Sequence, residues 1–220
     1  MRVNQYIAHA TGVSRRAADD AVAAGRVQIG ERTAVLGDHV GPDDSVQVDG
    51  KIVALPAYRT IMLNKPVGYV TSRKQQGKAP TIYALLPDEL YGLKPIGRLD
   101  RDSSGLLLLT NNGDLAQRMQ HPSQGKWKRY EVEVDKPLKP ADRNQLETGV
   151  ELDDGISVLR VTPFSKQDRR FEVRLQEGRN RQIRRSFAAR GYTVTKLHRT
   201  DFGDIRLGQL KPGKWEELLG

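Results

Sequence analysis

Gly97-Arg98-Leu99-Asp100-Arg101-Asp102-Ser103-Ser104-Gly105-Leu106-Leu107-Leu108-Leu109-Thr110, closed by Asn111-Asn112-Gly113, is the stretch from which the rest of the chain is read. Four consecutive leucines between a glycine and an Asn-Asn-Gly turn predict a short strand buried on both faces. Such a strand is a rigid mount. Just before it stand Arg98, Asp100, Arg101, Asp102, Ser103 and Ser104, polar groups that are costly at the mouth of a core strand unless they have partners or work to do. Two readings stand at this point: a polar loop closed by its own Asp–Arg pairs, or a functional site held by the strand.

Composition narrows the chemistry. The 220 residues suffice for one large or two small domains with a true core. There is no cysteine, which excludes disulfides, thiolate nucleophiles and thiolate metal sites. The four histidines (His9, His39, His121, His198) are scattered without metal-ligand spacing, so no metal site is expected. The N-terminus has no apolar signal region and no aliphatic run approaches a membrane span, which predicts a cytoplasmic protein without a membrane partner.

The formal net charge is +9, and its distribution is uneven. Residues 1–58 carry 6 Lys+Arg against 7 Asp+Glu, whereas residues 59–220 carry 30 against 20. The densest block, residues 178–199, holds seven basic residues and no acid. A solvated face usually mixes signs, so this block predicts an electrostatic footprint for a polyanion.

Working outward toward the N-terminus, Val3, Ile7 and Ala10 fall at helical spacing up to Gly12. Ser14 is a candidate cap for a second helix with Ala17, Ala21 and Val22 as its buried stripe. Val27-Gln28-Ile29 and Val46-Gln47-Val48 alternate as strands, and Asp49-Gly50 predicts a hairpin into Lys51-Ile52-Val53. A Pro-containing linker places a domain boundary near residue 58.

Beyond it, residues 60–64 and 69–72 read as a hairpin around Lys65-Pro66-Val67-Gly68. After the leucine strand, Asp114 is a candidate helix cap, and His121-Pro122-Ser123 a turn. In residues 128–135, Tyr130, Val132 and Val134 alternate with charged residues, which turns Tyr130 inward, either as a core residue or as a stacking platform for a base. Residues 140–148 predict a helix; 157–161, 171–175 and 193–198 predict strands. Residues 180–190 predict a helix whose Ile183 and Phe187 face the core while Arg181, Arg184 and Arg185 form an outward comb.

Five motifs occur in order: Asn64-Lys65-Pro66-x-Gly68; Gly97-Arg98-Leu99-Asp100-x-Asp102-Ser103-x-Gly105-Leu106-Leu107; Lys128-x-Tyr130; Glu177-Gly178-Arg179-Asn180-Arg181-Gln182-Ile183-Arg184-Arg185; and Leu197. In this order and spacing the chain resembles bacterial ribosomal-RNA pseudouridine synthases of the RsuA/RluB type. Residues 1–53 resemble the small S-four-type RNA-binding domain, although this stretch is near neutral where a nucleic-acid module is expected to be basic. The resemblance implies an α+β fold: a small two-helix RNA-binding module in residues 1–58, then a catalytic domain in 59–220 on a mixed, mostly antiparallel sheet flanked by helices.

It also implies a reaction, isomerisation of uridine in RNA to its carbon-linked isomer, without cofactor. Asp100 matches the essential aspartate, which either attacks the ribose or removes a ribose proton. Arg184 matches its basic partner, since a carboxylate in a desolvated site needs an adjacent cation to stay ionised. Tyr130 matches the residue stacking on the target base, Leu197 the aliphatic residue in the same pocket, and Arg98 a residue that fills the place of the extruded base. Ser14, Arg15, Arg16, Gly25 and Arg26 match the RNA-facing surface of the first module; Lys65, Lys128, Arg179, Arg181 and Arg185 are further RNA-binding candidates. The implied partner is ribosomal RNA or a pre-ribosomal particle, with the chain acting as a monomer. The alternatives are a non-catalytic RNA-binding or ribosome-assembly factor and a synthase acting on transfer RNA. The sequence leans toward a large-subunit target.

Overall fold

The computed structural model describes residues 1–120, 125–165 and 169–218, and the expected turn at His121-Pro122-Ser123 lies outside them. The chain forms two compact units, Met1–Tyr58 and Arg59–Gly220.

In the first unit, α1 (Val3–Thr11) ends at Gly12, whose φ of 78° suits a residue without Cβ. The Ser14 hydroxyl accepts the Ala17 N–H and caps α2 (Arg15–Ala23). The buried stripe of α2 is Ala18, Ala21 and Val22, with Ala18 in the place expected of Ala17. The strands β1 (Val27–Ile29), β2 (Arg32–Thr33), β3 (Val46–Val48) and β4 (Lys51–Ile52) form a sheet in the order β2-β1-β3-β4. Asp49 and Gly50 both have positive φ, as a two-residue hairpin turn between β3 and β4 requires. The two-residue β2 carries no alternation from which it could be read. Val3, Ile7, Ala18, Val22, Val27 and Val46 form this unit's own core.

The second unit is built on a nine-stranded sheet. Its strands are β5 (Thr60–Lys65), β6 (Lys94–Ile96), β7 (Ser104–Thr110), β8 (Lys128–Val134), β11 (Arg160–Pro163), β12 (Arg170–Leu175), β13 (Val194–Phe202), β14 (Ile205–Arg206) and β15 (Trp215–Glu217); β9 (Val150–Leu152) and β10 (Gly155–Ser157) pair separately. The path is β11-β12-β8-β13-β7-β5-β15, with β14 on β13 and β6 on β7. All pairings are antiparallel except β13 with β7.

The leucine strand is β7, and Leu106 to Leu109 are fully buried. Leu107 and Leu109 join a core that includes Ile183 and Phe187 of α5 (Gln182–Ala188) and Leu146 of α4 (Pro140–Thr148). Leu106 and Leu108 join a second core containing Met119 of α3 (Gly113–Gln120). Burial on both faces, about 1.5–3 kcal/mol per leucine, explains why the run is continuous rather than alternating. At Gly105 a Cβ would lie 2.2 Å from the Arg199 carbonyl oxygen, so the parallel β13 can approach only a glycine.

Several local expectations fail for tertiary reasons. Residues 69–72 do not return along β5, because β7 and β15 already occupy its two edges; Val70 bridges Thr81 instead. The strand expected at 157–161 splits, since Leu159 N–H donates to Leu146 O between β10 and β11. Asn112, not Asp114, caps α3, its Oδ1 accepting the N–H groups of Asp114 and Leu115. The helix expected over 180–190 is only α5, because Arg181 adopts a left-handed conformation (φ 47°) that stops helical winding before Gln182.

Candidate active site

The loop before β7 is held from inside by β5 and the segment after it. Lys65, at the end of β5, is wholly buried, and its ammonium donates to Pro66 O at 3.1 Å, Asp100 O at 2.9 Å and Ser103 O at 2.7 Å. Burial lowers its pKa to about 8. The Thr71 hydroxyl donates to Leu99 O at 2.8 Å, and Gly68 N–H donates to Arg101 O at 2.7 Å. Lys65 therefore fastens the loop and is unavailable to RNA, contrary to its sequence assignment.

Above this anchor, Asp100 faces a cavity of about 800 Å³ lined also by Arg98, Lys128, Tyr130, Leu197 and Arg199. These residues come from the β7 loop, β8 and β13, so the sheet brings three distant stretches to one concavity. Tyr130 and Leu197 are buried members of the main core as well as cavity wall, so the core reading of Tyr130 holds and its ring also borders the cavity. Arg98 is exposed and makes no hydrogen bond or ion pair among the described residues.

The cation paired with the Asp100 carboxylate is not Arg184. Arg181 Nη1 lies 3.6 Å from Asp100 Oδ2, and Arg181 also holds Asp102 through two bonds of 3.0 and 2.9 Å. Arg184 donates to Asp102 O at 2.8 Å and Val194 O at 2.7 Å, with its Nε 3.3 Å from Asp102 Oδ2. The expected Asp100–Arg184 pair is thus replaced by a chain of charges, Asp100–Arg181–Asp102–Arg184. The hydrogen bond from Arg181 holds the Asp102 carboxyl below its usual range. Asp102 ties the two arginines of the α5 region rather than Arg98 or Arg101. The physical reason is the left-handed Arg181: it lies outside α5 and reaches across to the β7 loop instead of standing on the helix face.

The outward comb is also corrected. Arg185 pairs with Asp154 at 2.6 Å; Arg179 binds the same carboxylate at 2.9 Å and the carbonyls of Gly155 and Ile156. Lys128 donates to Gln176 O and Glu177 O, and burial followed by repulsion from Arg199 lowers its pKa to about 8. Arg190 pairs with Asp142. Most of the basic block is therefore neutralised in space by acids and carbonyls distant in sequence. In the first unit, Arg26 pairs with Asp49, while Arg15 and Arg16 are exposed without a hydrogen bond or ion pair among the described residues.

Arg199 was missed as a site residue and counted only as part of the basic block. It is buried and lines the cavity. The signal was present: Leu197 and Arg199 are two apart on one strand, so they share a face. Among the described residues no cluster of three or more His, Cys, Asp or Glu is placed to hold a metal, and no helix is long and apolar enough to cross a membrane.

The chain is similar to known proteins over most of its length. Residues 59–189 match the family model described as RNA pseudouridylate synthase. An uncharacterized RNA pseudouridine synthase of Aquifex aeolicus is 37% identical over 99% of this chain and 90% of its own length. A ribosomal large subunit pseudouridine synthase B of Haemophilus influenzae is 35% identical over 99% of this chain, which spans 64% of that relative. A crystal structure of a pseudouridylate synthase superposes with a TM-score of 0.71 at 28% identity, covering 100% of this chain and 96% of that one.

Proposed function

This chain belongs to the RNA pseudouridylate synthase family, an isomerase family acting on RNA, and we propose that its substrate is a uridine of ribosomal RNA on whose ribose Asp100 acts. The observation that carries the reading is the convergence of Asp100, Tyr130 and Leu197 on one cavity. The ribosomal assignment is supported by relatives whose names specify the large ribosomal subunit.

In this reading the target uridine leaves its stack, at a cost of about a few kcal/mol, and enters the cavity. Tyr130 offers its ring to the base and Leu197 packs beside it. Asp100, 3.6 Å from Arg181 Nη1, reaches the ribose as nucleophile or as base. The clamp of Lys65, Thr71 and Gly68 on the loop keeps the carboxylate in place, so little motion is needed at the moment of reaction. Arg98, exposed at the rim, enters the gap left in the RNA. The first unit adds phosphate contacts through Arg15 and Arg16, with Ser14 shaping their helix start.

The test is to map pseudouridines in ribosomal and transfer RNA from a deletion strain complemented with wild type or Asp100→Asn. The expected result is one or more missing ribosomal sites, restored by wild type, with Asp100→Asn slower by about 10³-fold or more in vitro. Missing sites only in transfer RNA overturn the substrate assignment, and full rescue by Asp100→Asn overturns the role of Asp100.

A further inference from the structure

The cavity wall holds a buried cation that forms no ion pair among the described residues. Arg199 is 2% exposed on β13, opposite Gly105 of β7 on one side and Tyr130 of β8 on the other. Its Nε donates to Leu106 O at 2.7 Å and its Nη1 lies 3.5 Å from the Tyr130 hydroxyl. Nη2 is buried with no hydrogen-bond partner. Among the described residues Arg199 forms no ion pair; its guanidinium instead lies 5.2 Å from the centre of the Phe202 ring, and the Lys128 ammonium lies 5.2 Å from the same ring. A buried arginine with an unused donor and no carboxylate destabilises a fold, and a hydrophobic side chain of similar volume would serve packing better. A negative charge on a bound molecule would complete its surroundings.

Two anions reach this cavity in the reading proposed above, on which this inference rests: RNA phosphate and the base itself. Phosphate suits exposed cations at a rim, and Arg199 is buried beside Tyr130. The base becomes anionic during the reaction. When the C1′–N1 bond breaks, its electron pair stays with N1 and spreads onto O2 and O4 of uracil. This holds whether Asp100 bonds to C1′ or takes a neighbouring ribose proton. The pair needed for the new bond is then supplied from C5 to C1′, and where Asp100 had bonded to C1′ that bond breaks with its pair returning to the carboxylate; C5 loses its proton, N1 gains one, and any proton held by Asp100 returns to the ribose, so the product is an isomer.

We propose that Arg199 supplies the fixed positive charge that stabilises the detached uracil anion between bond cleavage and reattachment. The charge is in place before reaction: Gly105 lets β13 close on β7, and Leu106 O fixes the guanidinium, so no solvent has to reorganise.

The experiment uses the full chain and ribosomal RNA transcribed with either uridine or 5-fluorouridine, whose fluorine withdraws charge and makes the base a better leaving group. Single-turnover loss of the N-linked nucleoside is followed after complete digestion, because C5 of 5-fluorouridine has no proton to lose and its carbon-linked product does not regain the C5–C6 double bond. Arg199→Met is expected to slow the uridine reaction by about 10²–10³-fold, as removal of a preorganised donor does, with half-saturating RNA concentration unchanged within about twofold. On 5-fluorouridine RNA the loss is expected to shrink about tenfold or more, and Arg199→Lys to recover part of the rate. If Arg199→Met does not fold, Arg199→Gln carries the same comparison. Equal losses on the two RNAs, a loss confined to RNA binding, or no loss overturns the proposal, since a merely structural arginine cannot distinguish the two bases. Asp100→Asn, run in parallel, separates the failures: activity in that variant overturns the reading of the site, whereas a dead Asp100→Asn with equal Arg199 losses overturns only the role of Arg199.

Discussion

The two units differ in how formal charge relates to charge that a polyanion can meet. The first is near neutral by count, yet Arg15 and Arg16 stand exposed and unpaired among the described residues. The second carries the whole net excess, yet most of its densest basic block is paired within the fold: Arg179 and Arg185 on Asp154, Arg181 and Arg184 on Asp102, Arg190 on Asp142, with Arg199 buried. A count of arginines in sequence measures neither. What matters for RNA is the donor left over after the fold has taken its share.

This comparison can be broken by substitution, because an inward cation should fail in stability and an outward one in affinity. The largest effect is expected for Lys65→Met. It removes the donor from three carbonyls in a fully buried site and should lower unfolding free energy by about 3–5 kcal/mol in urea titration. A loss under about 1 kcal/mol would show that the clamp does not hold the loop.

Asp154→Ala sharpens the contrast from the other side. It frees Arg179 and Arg185, so binding of an unrelated RNA should strengthen, and the dependence of log K on log salt should steepen by about 1. An unchanged slope means those arginines remain held by the carbonyls alone. The double change Arg15→Ala and Arg16→Ala should weaken RNA binding by up to about tenfold and flatten the salt dependence by a similar unit, without moving the melting temperature; a melting shift with unchanged affinity would reverse their assignment.

A further effect is in pH. Lys128 has a folded-state pKa of about 8 against 10.5 for the free side chain, because burial and Arg199 disfavour its charge. Below pH 8 the ammonium is charged in both states and the burial penalty is fully present. Between pH 8 and 10.5 the unfolded chain binds more protons, so stability rises with pH in that window. Wild type should therefore gain on Lys128→Met from pH 8 to 10.5 in paired urea titrations; a constant difference would show that the ammonium is not desolvated.

How much of this was legible depends on whether the signal was local. The leucine run announced a strand buried on both faces, the alternation around Tyr130 announced its inward face, and Ser14 announced a helix start. Each rests on interactions within a few residues. Asp100, Tyr130, Leu197 and Arg98 were singled out by motif, and the cavity gathers them. Apart from the Asn112 cap of α3 and Ala18 in the stripe of α2, the failures were pairings and one backbone turn. The segment 69–72 had strand-like residues but no free edge of β5 to join, and Arg181 lost its place on the helix when its backbone turned left-handed.

By itself, then, the sequence determined periodicity, caps and the chemical inventory of the site, because those follow from side chains near one another along the chain. Only the tertiary structure decided which carboxylate meets which arginine, that Lys65 serves the loop rather than RNA, and that Arg199 is left with an unused donor in the cavity wall. Those outcomes depend on contacts between residues 35 to 93 positions apart, whose closeness is a property of the sheet order and of no local stretch.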